Sequence, residues 1–139
     1  MYIFFSVTAS QTGVLEIRST SGRLYGRWPL EESGEFAIEF IHSVNQSPVR
    51  ETFRLEDGRF ALDSVRFYSF GAGIQSDVGK GQKLSRDGDA MILSGFDISI
   101  KELNLIVGTV SDHLLFIGNE IVSLRELCGQ NTRITIRYR

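Results

Sequence analysis

Short runs in which apolar and polar residues alternate, separated by turn dipeptides, organise most of the chain. Glycine beside Asp, Asn or Ser supplies the positive φ that tight hairpins require. Four such tips stand at Ser21-Gly22, Asp57-Gly58, Asp87-Gly88 and Gly118-Asn119. They separate Val14–Arg18 from Arg23–Trp28, Val49–Glu56 from Arg59–Phe70, Leu84–Arg86 from Asp89–Ser94, and His113–Ile117 from Glu120–Val122. Thr132–Tyr138 alternates with the period of a half-buried strand. Only Ser123–Cys128 reads as a helix, with Ser123 as its cap, Glu126 three residues on and Gly129 as the stop. The pattern predicts an all-β fold: an antiparallel, hairpin-rich sandwich or partly closed barrel with one short helix near 123–128. Residues 13–139 read as a single all-β domain. Residues 1–12 read as an N-terminal segment, either a leader remnant or an edge strand, because the apolar run Tyr2–Val7 lacks a basic flank and falls short of the ~7–15 residues of a signal core.

Period 2 also tells which side chains share a face in the meander from Glu35 to Phe70. Phe36, Ile38, Phe40 and His42 fall together, as do Val49, Glu51, Phe53 and Leu55. A two-residue turn at Asp57-Gly58 would set Leu55 opposite Phe60, Phe53 opposite Leu62, Glu51 opposite Ser64 and Val49 opposite Arg66. In that register Phe36, Ile38, Phe40, Phe53, Leu55, Phe60 and Leu62 make one core. His42, Glu51, Ser64 and Arg66 would then converge beside the loop from Ser43 to Pro48, with Glu51 within reach of Arg66 or His42. Burying such groups unpaired costs roughly 2–7 kcal/mol for a neutral polar group and more for an ion. The cluster is therefore either a satisfied structural network or a polar ligand site whose Arg66 grips a carboxylate through two hydrogen bonds.

Composition narrows the function classes. The 139 residues carry 15 Lys+Arg against 17 Asp+Glu and 42% hydrophobic residues. A formal charge of −2 gives no overall electrostatic footprint for nucleic acid or an anionic membrane, and the apolar fraction is too high for a disordered chain. No apolar run approaches the ~20 residues of a membrane-spanning helix, so the chain does not read as an integral membrane protein. The single Cys128 excludes an internal disulfide and, at the end of a helix, reads as packed rather than reactive.

Searches for catalytic signatures return little. There is no Gly-x-Ser-x-Gly elbow, no His-Glu-x-x-His and no paired-Cys spacing, and the histidines are His42 and His113 alone. Asp112 and His113 are secondary candidates; a metal site from His42, His113 and a carboxylate can be written down, but no spacing brings His113 to the meander. No metal and no cofactor is implied. Phe70, Gly71 and Gly73 open a glycine-rich loop running to Lys83. Its spacing is not that of a phosphate loop, which leaves a bulge or strand exit, or a ligand cradle.

Several of these segments together resemble a known family. Gly34-Glu-Phe36 leading to Phe40-Ile-His42-Ser43-Val44, then Pro48-Val49-Arg-Glu51-Thr-Phe53, Phe70-Gly-Ala-Gly73, Val107-Gly108 and Asp112-His113 resemble domain-of-unknown-function family 1850. Its members are small bacterial and archaeal proteins typically encoded beside tripartite (TRAP) transporter permeases of the TAXI subtype. The resemblance runs from about Val14 to Tyr138, with Ile74-Gln75 standing where the family carries Leu-Pro. It implies an extracytoplasmic, periplasmic accessory or ligand-sensing domain whose partners are the TRAP permease, the solute-binding protein or a small carboxylate, with no established reaction and no nucleic acid. Two other classes stay open: a small hydrolytic or metal-dependent enzyme using His42 and Glu51, and a purely structural interaction domain that offers an exposed strand edge.

Overall fold

The computed structural model describes residues 12–43, 46–68 and 78–139. It is 61% strand and 4% helix, nearly all antiparallel, and the sheets do not close into a barrel; the arrangement fits a sandwich. The strands are β1 (Gly13–Ser19), β2 (Leu24–Leu30), β3 (Glu35–Ile41), β4 (Pro48–Glu56), β5 (Arg59–Tyr68), β6 (Lys83–Asp87), β7 (Ala90–Ser94), β8 (Ser99–Ile100), β9 (Glu102–Ile106), β10 (Leu114–Ile117), β11 (Glu120–Ser123) and β12 (Arg133–Tyr138). One helix, α1 (Leu124–Cys128), follows β11. The smaller sheet has the order β2-β1-β12-β9, and the larger β11-β10-β3-β4-β5-β7-β6, with β8 on β5.

The tips form as the turn chemistry dictates. Asp57 and Gly58 both take positive φ, 52° and 72°, and bring Glu56 opposite Arg59. Gly118 turns at φ 56°, between Ile117 and Glu120. The β6–β7 tip falls one residue later than expected, at Gly88-Asp89, because Asp87 itself pairs with Ala90. Ser123 caps α1, its hydroxyl accepting from the Glu126 N–H at 3.1 Å, and Gly129 ends it at φ 95°. The sequence reading had placed no strand at β8 or β9.

Between the sheets lies the core. Leu15, Ile17, Ile134 and Ile136 come from the smaller sheet and Phe36, Ile38, Phe53, Leu55, Phe60, Leu115 and Ile117 from the larger. Phe36 stacks on Phe53 at 5.3 Å between ring centroids and meets Phe60 edge-on at 4.8 Å. Leu62 packs against this cluster, and Phe40, half-buried, stands 5.8 Å from the His113 ring. The core expected from the meander is therefore present on one face.

The register holds only as far as Leu62. Leu55 faces Phe60 and Phe53 faces Leu62, but the next pair is Thr52 with Ser64. Asp63 is an extra residue on β5, a β-bulge, and a single inserted residue turns every later side chain to the opposite face. Glu51 consequently faces Val65, and Arg66 faces Arg50.

Candidate functional site

The bulge separates the four residues expected to converge. Val65 and Phe67 turn to the core side, whereas Ser64, Arg66 and Tyr68 turn to the outer face of the larger sheet. Arg66 donates to Asp87 at 2.8 Å rather than to Glu51. His42 and Ser43 are exposed at the end of β3. The His42 backbone closes the hairpin, its N–H donating to the Ser47 carbonyl at 2.8 Å and its carbonyl accepting from Gln46 at 2.9 Å. Phe70, Gly71 and Gly73 lie outside the described residues.

Glu51 keeps its expected face without its expected partners. Across the larger sheet its row runs Leu115, Ile38, Glu51, Val65, Leu93 and Leu84, a carboxylate among aliphatic side chains. Among the described residues it has no hydrogen-bonding or ion-pairing group within reach. Burial accordingly pushes its carboxyl above the usual carboxylate range.

Asp112 and His113 are tied into the framework. The Asp112 carboxylate accepts from the Ser123 hydroxyl and from the Arg125 N–H, the latter at 2.9 Å, and so secures the start of α1. His113 Nδ1 accepts from the Gly108 N–H at 3.1 Å, which places a proton on Nε2 in the neutral ring, and burial holds its pKa below the ordinary histidine value. A Cβ at Gly108 would stand 2.3 Å from the Ser111 carbonyl, so this close turn requires glycine. Asp, His and Ser are neighbours here without a nucleophile–base contact: Ser123 binds Asp112, and the histidine binds backbone. Burial raises the Cys128 thiol to about 11, which keeps it protonated. No three of His, Cys, Asp and Glu come together as metal ligands among the described residues.

The outer face of the larger sheet gathers polar chemistry instead. Glu39, Arg50 and Arg66 form one row across β3, β4 and β5, and with Pro48 and Tyr68 they line a depression of about 310 Å³. Arg50 gives two of its N–H groups to one Glu39 oxygen, Nε at 2.9 Å and Nη2 at 2.8 Å, and lies 4.0 Å over the Phe116 ring. The hydrogen bond to Asp87, and then that to Tyr68, hold Arg66 fully cationic. Like charges directly opposite on a ladder are destabilising. Glu39 and Asp87 offset that repulsion from the two flanks and fix both guanidinium planes at the rim.

Sequence reasoning placed Arg66 beside the loop ending at Pro48 and missed its companions Glu39, Arg50 and Tyr68. Glu39 opposite Arg50 was readable from the β3–β4 register. Tyr68 and Arg66 were not, without the bulge.

The model of a family described as "Domain of unknown function (DUF1850)" matches residues 36–124, more than half of the chain. The match spans the meander, both arginines, the Gly108 turn and the Asp112-His113 pair. No curated protein and no solved structure matches the chain.

Proposed function

We propose, for a chain that belongs to the DUF1850 family, that it is a non-enzymatic β domain binding a small carboxylate between Arg50 and Arg66, as an extracytoplasmic accessory of a TAXI-type TRAP transporter. The observation that carries the ligand reading is the facing pair of arginines over a depression of about 310 Å³. That volume lies at the lower end of small-molecule sites and suits a ligand of few heavy atoms. A guanidinium presents five N–H donors in a planar fork, so two of them, oriented by Glu39 and Asp87, match the planar oxygens of a carboxylate. Tyr68 and Pro48 supply flat apolar walls and a phenol at the same rim. The transporter association rests on the family resemblance alone, and no catalytic arrangement among His42, Glu51, Asp112 and His113 favours an enzyme.

The test is titration calorimetry of the purified chain with monocarboxylates, dicarboxylates and amino acids. Saturable binding should weaken by about 1.5–3 kcal/mol in Arg66→Lys, which keeps the charge and loses the fork. Binding that survives Arg66→Ala and Arg50→Ala together would exclude the site. A pull-down against permease and solute-binding components tests the association separately.

A further inference from the structure

The outer face of the smaller sheet carries an organised excess of positive charge. Alternation puts Leu15, Ile17, Ile134 and Ile136 inside, so Glu16, Arg18, Arg137 and their neighbours in register point outward. One row across the four strands reads Arg27, Glu16, Arg137, Glu102. Arg18 lies in the next row, with Arg133 and Arg139 farther along β12 and its extension. The outward strand positions thus hold five arginines against two carboxylates, while the whole chain carries a formal charge of −2. The near-neutral total averages this asymmetry away.

The two carboxylates do not cancel the face. Glu16 is 4% exposed, covered by guanidinium groups: Arg18 at 2.9 Å, Arg137 at 3.4 Å and Arg139 at 3.5 Å share it. Its hydrogen bond to Arg18 holds its carboxyl below the usual range, and the three cations remain in excess of one anion. Arg27 and Arg133 are exposed and make no ion pair among the described residues.

We propose that this face docks on an anionic lipid surface through its arginines. The cations are spread over four strands, roughly 15 Å across at the strand spacing of a sheet, rather than gathered in a cleft, and so match a plane of phosphates. Arginine forks bind phosphate oxygens in pairs. Leu24, 40% exposed on β2, and Ile106, 46% exposed on β9, flank the charges on the same face and supply apolar contact with the lipid interface. Nucleic acid fits less well, because no aromatic side chain at these outward positions offers a base a stacking platform.

Co-sedimentation of the whole chain with vesicles tests this. Vesicles of equimolar phosphatidylglycerol and phosphatidylcholine should retain the protein, pure phosphatidylcholine should not, and added salt should release it. The double variant Arg27→Glu/Arg133→Glu should lower partitioning by about tenfold or more. Lys83→Glu/Arg86→Glu, which changes total charge equally on β6, should not. Thermal melts confirm that both variants fold, and salt release of the unaltered chain is a readout that needs no variant. Absence of binding, equal binding to neutral vesicles, wild-type retention of the Arg27/Arg133 variant, or preference for a single-stranded oligonucleotide would each overturn the proposal.

Discussion

A carboxylate can stabilise a fold by what it accepts or burden it by what it lacks, and Asp112 and Glu51 show the two cases. Asp112 receives a backbone N–H from the first residues of α1 and the hydroxyl that caps the same helix. Replacing it by Ala should cost about 0.5–2 kcal/mol, as losing a helix cap does, in denaturant unfolding. An unchanged midpoint would show the contacts to be idle. From sequence, Asp112-His113 stood out only as a candidate for chemistry, because a cap on a five-residue helix eleven positions away leaves no local spacing signal. Glu51 was legible as a polar residue on an apolar face. Its isolation was not, since that depends on where Arg66 points.

At the scale of elements, that direction is set by one residue. Along β5 the apolar positions run Phe60, Leu62, then Val65, Phe67, a spacing of three where alternation demands two. The slip marks the bulge at Asp63 in the sequence itself; a regular ladder drawn outward from the Asp57-Gly58 tip passes over it. Arg54 holds the inserted residue through its Asp63 ion pair at 3.2 Å. Deleting Asp63 would restore simple alternation and turn Arg66 and Tyr68 inward and Val65 and Phe67 outward. Burial of an unpaired arginine costs several kcal/mol. The deletion variant should therefore lose cooperative thermal unfolding, and a wild-type-like transition would show the bulge to be dispensable. Strand β9 escaped sequence reading for another reason. Leu103 and Leu105 alternate properly, but no turn dipeptide announces Glu102–Ile106, whose partner β12 lies far along the chain.

Across the whole molecule, two sheets close on one aromatic and aliphatic layer, and the ionisable groups then set how its stability responds to pH. Phe60 is fully buried against Phe36, so Phe60→Ala should cost about 3–5 kcal/mol by chemical denaturation. The pH response sums three groups of different sign. Glu16 has its folded pKa lowered, chiefly by the Arg18 hydrogen bond, so its contribution is complete above the ordinary carboxylate pKa of 4.5 and disappears as pH falls through the folded value. His113 has a folded pKa below 6.5, because burial disfavours the imidazolium; the fold therefore loses stability as pH drops beneath 6.5. Glu51 runs the other way. Its raised folded pKa means that the native state takes up a proton first, so its contribution is favourable below 4.5 and is lost as pH rises through the folded value. Stability curves of Glu51→Gln and Glu16→Gln, each subtracted from that of the unaltered chain, isolate these terms. Glu51→Gln should gain stability relative to wild type as pH rises from 4 towards 7, and Glu16→Gln should lose its disadvantage only below about 4. A Glu51→Gln difference curve that is flat, or that slopes the other way, would mean that the carboxylate has a partner in the folded protein and that its apolar row is not its real environment.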